Sequence, residues 1–205
     1  MYMEWLYYLS LCAPMIPLIL AIYFWEQFEL QKIYFPLISL LSIDLVTNVL
    51  TTLFEVKYGN VYPVTNCAVI LQGLVIFKLF EKMDLVNRKT SLYLQAFLVL
   101  AFVLETYFLS GFWDSNYYTL LMTHLLVLYI GWRALFDSTA RNTPFEFSIL
   151  STLVLYNTVF LVYLLFENKL QISTRLFEIT FLLSATFYVG ENLSFGRAIW
   201  SLRKH

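Results

Sequence analysis

The 205-residue chain has 13 basic and 14 acidic side chains and a net charge of −1, so we expect no nucleic-acid partner. Apolar residues make up 60% of the chain and charged residues only 13%, about half the share that is usual in soluble domains. A soluble fold of this composition would lack the polar surface needed to cover itself. The composition therefore excludes a soluble fold and predicts an integral membrane protein whose partner is the lipid bilayer.

Seven segments are long and apolar enough to cross a bilayer as helices, each needing about 20 residues. In chain order they are residues 5–25, 33–54, 61–77, 91–113, 115–132, 147–166 and 176–196. The intervals between them are short, so the sequence predicts an all-α, polytopic bundle of seven transmembrane helices. This bundle would form a single domain over residues 1–205, with no soluble domain. The opening MYMEW has no basic stretch, and no cleavage motif follows, so we expect a retained first helix rather than a secretory signal.

The basic residues predict the orientation of the chain in the membrane. With seven spans, ten of the 13 basic residues fall on one side. They are Lys32, Lys78, Lys82, Arg88, Lys89, Arg133, Arg141, Arg197, Arg203 and Lys204. The positive-inside rule assigns this side to the cytoplasm. The N-terminus is therefore predicted outside and the C-terminus in the cytoplasm, in a multi-pass protein of the inner (plasma) membrane.

Prolines and cysteines in the first and third segments predict local features. Pro14 and Pro17 are expected to kink the first helix, because proline lacks an N–H and its ring collides with the preceding turn. Cys12 and Cys67 both fall in the outer parts of their helices, where a disulfide is conceivable. Two buried free thiols that behave as small apolar side chains are the favoured interpretation.

The stretch SIDLVTNVLTT, residues 42–52, places polar side chains inside the second segment. At 100° per residue, one face of this helix within an arc of about 100° holds Asp44, Thr47, Asn48, Thr51 and Glu55. The opposite face is apolar and holds Leu45, Val46, Val49, Leu50 and Leu53. A charge at the centre of a bilayer costs about 2.5–3.5 kcal/mol on insertion scales. The polar stripe is therefore predicted to face other helices or water rather than lipid.

Other segments supply polar side chains at comparable depths. The candidate residues for a ligand site or ion pathway are Asp44, Asn48, Gln72, Glu105, His124, Asn157, Glu178 and Glu191. In the seventh segment a second stripe comprises Ser184, Tyr188, Glu191 and Asn192. In the predicted orientation Glu105, His124 and Glu178 lie in the outer half of the bundle. The set therefore predicts a polar cavity weighted to the extracytoplasmic half.

Each candidate also has a structural interpretation. Threonine and amide side chains such as Gln72 and Asn157 more often bond helices together than bind a ligand. For Asp44 and Glu105 a functional role is favoured over a protonated or paired structural role, because burial strongly penalises an ionised carboxylate. His124 is more often a satisfied core histidine, and a pair between Glu105 and His124 is conceivable.

Signatures of catalysis and metal binding are absent from the sequence. His124 and His205 are the only histidines, so they cannot form an H-E-x-x-H zinc site. No P-loop, G-x-S-x-G elbow or metal-ligand spacing appears. The seventh segment contains no lysine, which excludes a retinal Schiff base there. We therefore predict no catalytic residues, no metal site and no cofactor.

Three stretches carry a resemblance to a known group of proteins. SIDLVTNVL, NVYPVTNCAVILQGLVIF and TPFEFSILSTLVLYNTVF correspond to a polar second helix, an Asn/Tyr-bearing third helix and a Pro-aromatic opening of the sixth helix. In these features and in length the chain is similar to small seven-helix membrane proteins widespread in Bacteroidetes and related bacteria. Asn157 stands where that family has a glycine. The resemblance implies a fold and a membrane location, and no activity.

Three classes of function follow, in decreasing order of preference. The first is a signalling or sensory membrane module with a polar pocket in the extracytoplasmic half, which could contact a membrane or cytoplasmic protein through its basic inner loops. These basic loops are also explained as topology determinants beside anionic lipid. The second is a small-solute or proton-coupled transporter or channel that uses Asp44, Glu105 and Glu191. The third is a lipid-modifying membrane enzyme, for which no nucleophile or metal constellation is present.

Overall fold

The computed structural model describes residues 2–29, 31–137, 143–169 and 174–204. Over these ranges the chain forms α-helices and no β-strand. The helices are α1 Tyr2–Cys12, α2 Met15–Tyr23, α3 Trp25–Glu29, α4 Tyr34–Tyr58, α5 Tyr62–Lys82, α6 Arg88–Glu105, α7 Tyr117–Phe136, α8 Pro144–Lys169 and α9 Thr174–Ser201. A π-helical turn, Thr106–Ser110, continues α6, and a 3₁₀ turn, Leu202–Lys204, follows α9. The predicted all-α class is confirmed for the part of the chain described.

Five helical segments in the described ranges are long and apolar enough to cross a membrane. They are Tyr34–Tyr58, Tyr62–Lys82, Arg88–Ser110, Tyr117–Phe136 and Pro144–Leu164. These correspond to the predicted second to sixth segments and make the chain a helical, membrane-embedded protein. The predicted first segment is covered by α1 to α3 and the predicted seventh by α9. Neither is among the five, so the count of seven spans stays a prediction.

The exposed surface of α6 illustrates why the protein needs an apolar environment. This helix buries three side chains, Ser91, Leu98 and Glu105, and two of them are polar. Downstream, Tyr107 is 80% exposed and Phe108 is 70% exposed. A soluble helix shows the reverse distribution, with its apolar side turned to the core. Ser91 and Glu105 of α6 therefore face the protein, whereas most of its apolar side chains face the surroundings.

The predicted kink in the first segment is confirmed as a break between α1 and α2. The helix stops at Cys12 and restarts at Met15. Pro14 has no N–H to donate, and its ring meets the carbonyl one turn earlier. Short-range bonds bridge the break, including one from the Ala13 N–H to the Ser10 carbonyl at 3.3 Å. The proline at position 14 therefore accounts for the end of α1.

The chain divides into two compact units. We call residues 29–126 the central unit, and residues 1–28 with 127–205 the terminal unit; the second boundary falls inside α7. In the central unit α5 packs against both α4 and α6. In the terminal unit α9 packs against α1, α2 and α8.

Glycines permit close helix contacts inside each unit. In the central unit, a Cβ at Gly73 of α5 would collide with the Leu98 side chain of α6. In the terminal unit, a Cβ at Gly131 of α7 would collide with the Val154 side chain of α8. Small residues at such contacts let membrane helices approach closely enough for van der Waals packing.

The two ends of the central unit differ in character. At the end where α4 and α6 begin and α5 finishes, the core is apolar and its fully buried side chains include Ile33, Leu37, Leu41, Phe77, Leu79, Phe80 and Met83. At the opposite end the buried side chains include Asn66, Glu105, Asn116 and Thr119. The polar chemistry of this unit is therefore concentrated in the middle and at one end.

Candidate functional site

Asp44, the first residue of the polar stripe of α4, faces the protein, as predicted. Asp44 is 9% exposed, whereas Val46 and Val49 on the opposite face are more than half exposed. The side-chain amide of Gln72 in α5 donates a hydrogen bond to Asp44 Oδ1 at 2.5 Å. Two predicted candidates from different segments are therefore in direct contact, and their bond links α4 to α5.

Further along the stripe, hydroxyl groups bond to their own helix. Thr51 Oγ1 donates to the carbonyls of Thr47 at 2.9 Å and of Asn48 at 3.0 Å. Such back-bonding satisfies a threonine hydroxyl without a partner from another helix. Glu55, the last member of the stripe, is exposed near the end of α4. This part of the stripe therefore has a structural explanation.

Glu105 is bonded to the start of α7. It is 4% exposed, and its Oε1 accepts the backbone N–H of Tyr118 at 2.8 Å. Its Oε2 accepts the backbone N–H of Thr119 at 2.6 Å. The first N–H groups of a helix have no partner within the helix and carry partial positive charge, so a carboxylate is a favourable cap there. Glu105 thus has the paired structural role that the sequence left as an alternative.

Asn66 fixes the connection between α6 and α7, and the sequence candidates did not include it. From α5, its Nδ2 donates to the Asp114 carbonyl at 2.8 Å and to the Phe112 carbonyl at 3.2 Å. Its Oδ1 accepts the backbone N–H of Asn116 at 3.1 Å. These three hydrogen bonds of the Asn66 side chain therefore all go to backbone groups of the connection.

Asn116 completes this network. Its Nδ2 donates to Thr106 Oγ1 at 2.6 Å, and its Oδ1 accepts from Ser110 Oγ at 2.7 Å. The π-helical turn is thereby joined to the residue just before α7. We call Asn66, Glu105, Thr106, Ser110 and Asn116 the α6–α7 polar cap. The one sequence signal for it is the Ser-Asn pair at 115–116, since such residues commonly precede a helix.

Three further candidates are His124, Asn157 and Glu178. His124 is half-buried on α7, and its pairing with Glu105 stays a prediction. Asn157 is 2% exposed, and its Nδ2 donates to the Leu153 carbonyl of its own helix at 2.7 Å. Glu178 belongs to α9, but its side chain lies outside the described part of the protein.

A cleft lies between α8 and α9 in the terminal unit. Its volume is about 280 Å³. Its lining consists of Thr152, Leu155, Tyr156, Thr186, Phe187, Gly190, Glu191 and Ser194. We call this cavity the α8–α9 cleft. Leu155 is 56% exposed, and Thr186 and Gly190 are also exposed, so the cleft opens at its side.

The second predicted stripe meets this cleft. Glu191 is 7% exposed and Asn192 is 1% exposed, so both side chains of the stripe are buried. Asn192 Nδ2 donates to the Tyr188 carbonyl at 3.0 Å, and its Oδ1 is buried without a hydrogen-bond partner among the described residues. Glu191 contributes the carboxyl group of the cleft itself.

Metal-ligating residues do not cluster in the described ranges. No group of three or more His, Cys, Asp or Glu side chains is placed there to hold a metal ion. Cys12 and Cys67 are free thiols, but both are exposed, so the expectation of buried thiols was wrong. The surface of this protein is largely apolar, and a thiol behaves as a small apolar group on such a surface as well as in a core.

Comparison with known proteins gave no match: no family model, curated protein or solved structure matches this chain. The described residues define a helical membrane protein with two polar regions besides the Asp44–Gln72 pair. One is the α6–α7 polar cap, in which side chains bond to the backbone. The other is the α8–α9 cleft, in which a buried carboxyl group lines an open cavity.

Proposed function

We propose that the protein is a signalling or sensory module of a bacterial inner membrane. It spans the membrane seven times, with the N-terminus outside and the C-terminus in the cytoplasm, and it belongs with the small seven-helix proteins that its second, third and sixth segments resemble. The ten basic residues on one side support this orientation. The observation that carries the proposal is the side-opening α8–α9 cleft with the carboxyl group of Glu191. In this orientation the cleft lies in the cytoplasmic half of the sixth and seventh segments, and the pocket of the proposal is therefore there and not in the extracytoplasmic half.

The cleft has the properties of a small binding site. Its volume of about 280 Å³ is just below the range of roughly 300–1,000 Å³ that is common for ligand pockets. Its lining combines apolar and aromatic side chains with a few polar groups, which is the usual composition of such pockets. Carboxyl groups within membrane helices are costly and tend to mark functional positions. A compact ligand that enters from the side is the signal that this module would detect.

The partners of the other carboxyl groups favour sensing over transport. A proton or cation path needs carboxylates that exchange ions along its length. Asp44 accepts a hydrogen bond from Gln72, and both oxygens of Glu105 accept backbone N–H groups. These fixed partners suit a structural role. A transporter remains the second candidate function, with Asp44 as the residue that would move an ion.

The sensory proposal includes a protein partner that receives the signal from the membrane helices. The basic segment around Lys78, Lys82, Arg88 and Lys89 lies on the predicted cytoplasmic side. Part of this charge is engaged locally, since Lys78 pairs with Glu81 at 2.6 Å. The remaining positive charge suits an acidic surface on a membrane or cytoplasmic protein.

A mild purification from native membranes tests the proposal, with mass spectrometry of co-purifying proteins and small molecules. We expect a near-stoichiometric protein partner together with a retained small molecule. Reconstituted vesicles provide the second arm, in which Asp44→Asn is compared with the wild type. This variant keeps a side-chain oxygen that can accept the hydrogen bond from Gln72. Loss of a measurable ion or solute flux in Asp44→Asn would reject the sensory proposal in favour of transport.

A further inference from the structure

Basic residues concentrate at the end of α9. Residues 197–204, RAIWSLRK, hold three basic side chains and no acidic one. Arg197 and Arg203 are both exposed. Three positive charges so close together do not lie in hydrocarbon, because a charge is strongly unfavourable there. This end of the terminal unit therefore lies where lipid meets water, and its charge attracts anions.

Trp200 lies between the two arginines and is held by the core of the terminal unit. Its ring packs edge-to-face on Phe24, with ring centroids 5.3 Å apart. Phe24 is 6% exposed, whereas Trp200 is 45% exposed. Tryptophan is enriched at the headgroup level of membranes, because its ring joins an apolar body to one polar N–H. One part of the ring is therefore anchored, and another part is presented to the surroundings.

Arg203 is placed beside this ring. Its guanidinium carbon lies over the Trp200 ring, 5.4 Å from the ring centroid. Leu202, which is 8% exposed, anchors the 3₁₀ turn that carries Arg203. A cation–π contact engages the charge of a guanidinium rather than its fork of N–H donors. That fork remains available to an anion, and phosphate is an anion that it binds with two hydrogen bonds.

Arg197 and an apolar residue continue the same side of α9 towards its apolar part. Arg197 lies one turn before Trp200, and side chains three residues apart are neighbours on a helix surface. Leu193, which is 50% exposed, lies one further turn away. The order along the helix is therefore an apolar side chain, then an arginine, an aromatic ring and a second arginine. A molecule with an apolar chain and an anionic head matches this order.

We propose that Arg197, Trp200 and Arg203 bind the phosphate headgroup of an anionic phospholipid in the cytoplasmic leaflet. We call these three residues the α9 headgroup site. The two guanidinium groups bind the phosphate, while Trp200 and Leu193 contact the glycerol and the first methylene groups. The apolar groups beside the arginines favour a lipid over a free phosphate ion or an acidic protein surface. The inference rests on the orientation given in the proposed function, and it goes beyond that function by assigning a lipid partner to α9.

Binding of two matched lipids tests the headgroup. The purified protein in detergent micelles is titrated with phosphatidylglycerol and with phosphatidylcholine of the same acyl chains, and native mass spectrometry measures the bound lipid. We expect phosphatidylglycerol to bind at least about fivefold more tightly, the gain expected for one basic residue beside an anionic headgroup surface. Equal affinity for the two lipids would overturn the inference.

Variants assign the binding to the α9 headgroup site. Arg197→Gln and Arg203→Gln should each weaken phosphatidylglycerol binding about fivefold. The matched control is Lys57→Gln, because the Lys57 Nζ atom lies over the Tyr58 ring, 5.1 Å from its centroid, at the predicted outer end of α4. This control should bind the lipid as the wild type does, and the midpoint of thermal unfolding without added lipid shows that all three variants are folded. An equal loss in Lys57→Gln would show diffuse attraction and overturn the inference.

Competition separates a lipid from other anionic partners. Inorganic phosphate supplies the charge of the headgroup without an acyl chain, and hexaglutamate supplies an acidic peptide. Neither should displace phosphatidylglycerol at equal concentration, because neither brings an acyl chain to Leu193. Displacement by phosphate would make the site one for a free anion, and displacement by hexaglutamate would make it a protein-docking surface. Either result would overturn the inference.

Thiol labelling separates this inference from the proposed function. Arg197→Cys, in a chain with serine at positions 12 and 67, is treated with a membrane-impermeant maleimide. We expect labelling in inside-out vesicles and none in intact cells. Labelling in intact cells would overturn the proposed orientation and the cytoplasmic leaflet together. The expected labelling, combined with arginine variants that bind lipid as the wild type does, would overturn this inference alone.

Discussion

The α6–α7 polar cap and the α8–α9 cleft each bury a glutamate, at 4% exposure for Glu105 and 7% for Glu191. In the cap, both carboxylate oxygens accept backbone N–H groups at the start of α7. In the cleft, the carboxyl group lines a cavity that opens at its side. The two buried glutamates therefore differ in their surroundings, because one caps the start of a helix and the other lines a cavity.

The cap also shows what a loop at the end of membrane helices requires. Residues 111–116 have no regular helix, so their backbone groups need partners from elsewhere. Asn66 supplies three of these bonds, and Asn60 supplies another to the Trp113 carbonyl at 2.9 Å. In the cleft, the hydroxyl groups of Thr152 and Thr186 each donate one hydrogen bond, to a carbonyl of their own helix. We therefore expect substitutions in the cap to lower the stability of the fold and substitutions in the cleft to leave it nearly unchanged.

The largest effect is expected for Glu105→Gln. Glutamine offers one acceptor oxygen, so one N–H of α7 would face the new amide group without an acceptor. The loss of a charge-assisted bond at a buried site should lower the free energy of unfolding by about 3 kcal/mol. Reversible unfolding in mixed detergent and SDS micelles measures this change. The control Glu55→Gln, on an exposed residue, should stay within about 0.5 kcal/mol of the wild type, and an equally small effect at Glu105 would contradict the capping role.

Asn66→Ala is expected to have the next largest effect, about 2 kcal/mol, because it leaves the buried Asn116 N–H without its acceptor and two part-buried carbonyl groups without donors. Hydrogen exchange should also accelerate at residues 112–116, which the side chain holds in place. Asn60→Ala is the matched control, since its bond to the Trp113 carbonyl of the same loop is exposed to the surroundings. Similar losses of stability in the two variants would show that burial of the Asn66 bonds is unimportant.

Thr143→Ala tests whether helix starts in the terminal unit depend on side-chain caps in the same way. The Thr143 hydroxyl accepts the Glu146 N–H at 3.2 Å, and Glu146 Oε2 accepts the Thr143 N–H at 3.0 Å, which together form a capping box for α8. Removal of the hydroxyl should cost about 1 kcal/mol of stability. Serine at this position, which restores the acceptor, should recover most of that loss. Failure of serine to do so would assign the effect to the lost methyl group.

The smallest effect on stability is expected for Gly190→Leu in the cleft. The position has open space around an added Cβ, and leucine favours a helix more than glycine does. The thermal midpoint should therefore stay the same or rise slightly. By contrast, Gly73→Leu in the central unit should destabilise the protein, because its Cβ would collide with Leu98. A clear loss of stability in Gly190→Leu would indicate that the cleft is closed in the membrane.

The sequence by itself determined the membrane class, the all-α fold, the break at Pro14 and the inward direction of Asp44. Each of these follows from composition, from the missing N–H of proline or from a local period of 3.6 residues, and none depends on which helices are neighbours. The tertiary structure decided that Gln72 bonds Asp44, that Glu105 caps α7 and that Asn66 fixes the loop before it. It also decided that Glu191 meets a cavity. The physical reason is that periodicity assigns a side chain to a face, whereas its hydrogen-bond partner depends on the packing and relative height of helices distant in sequence.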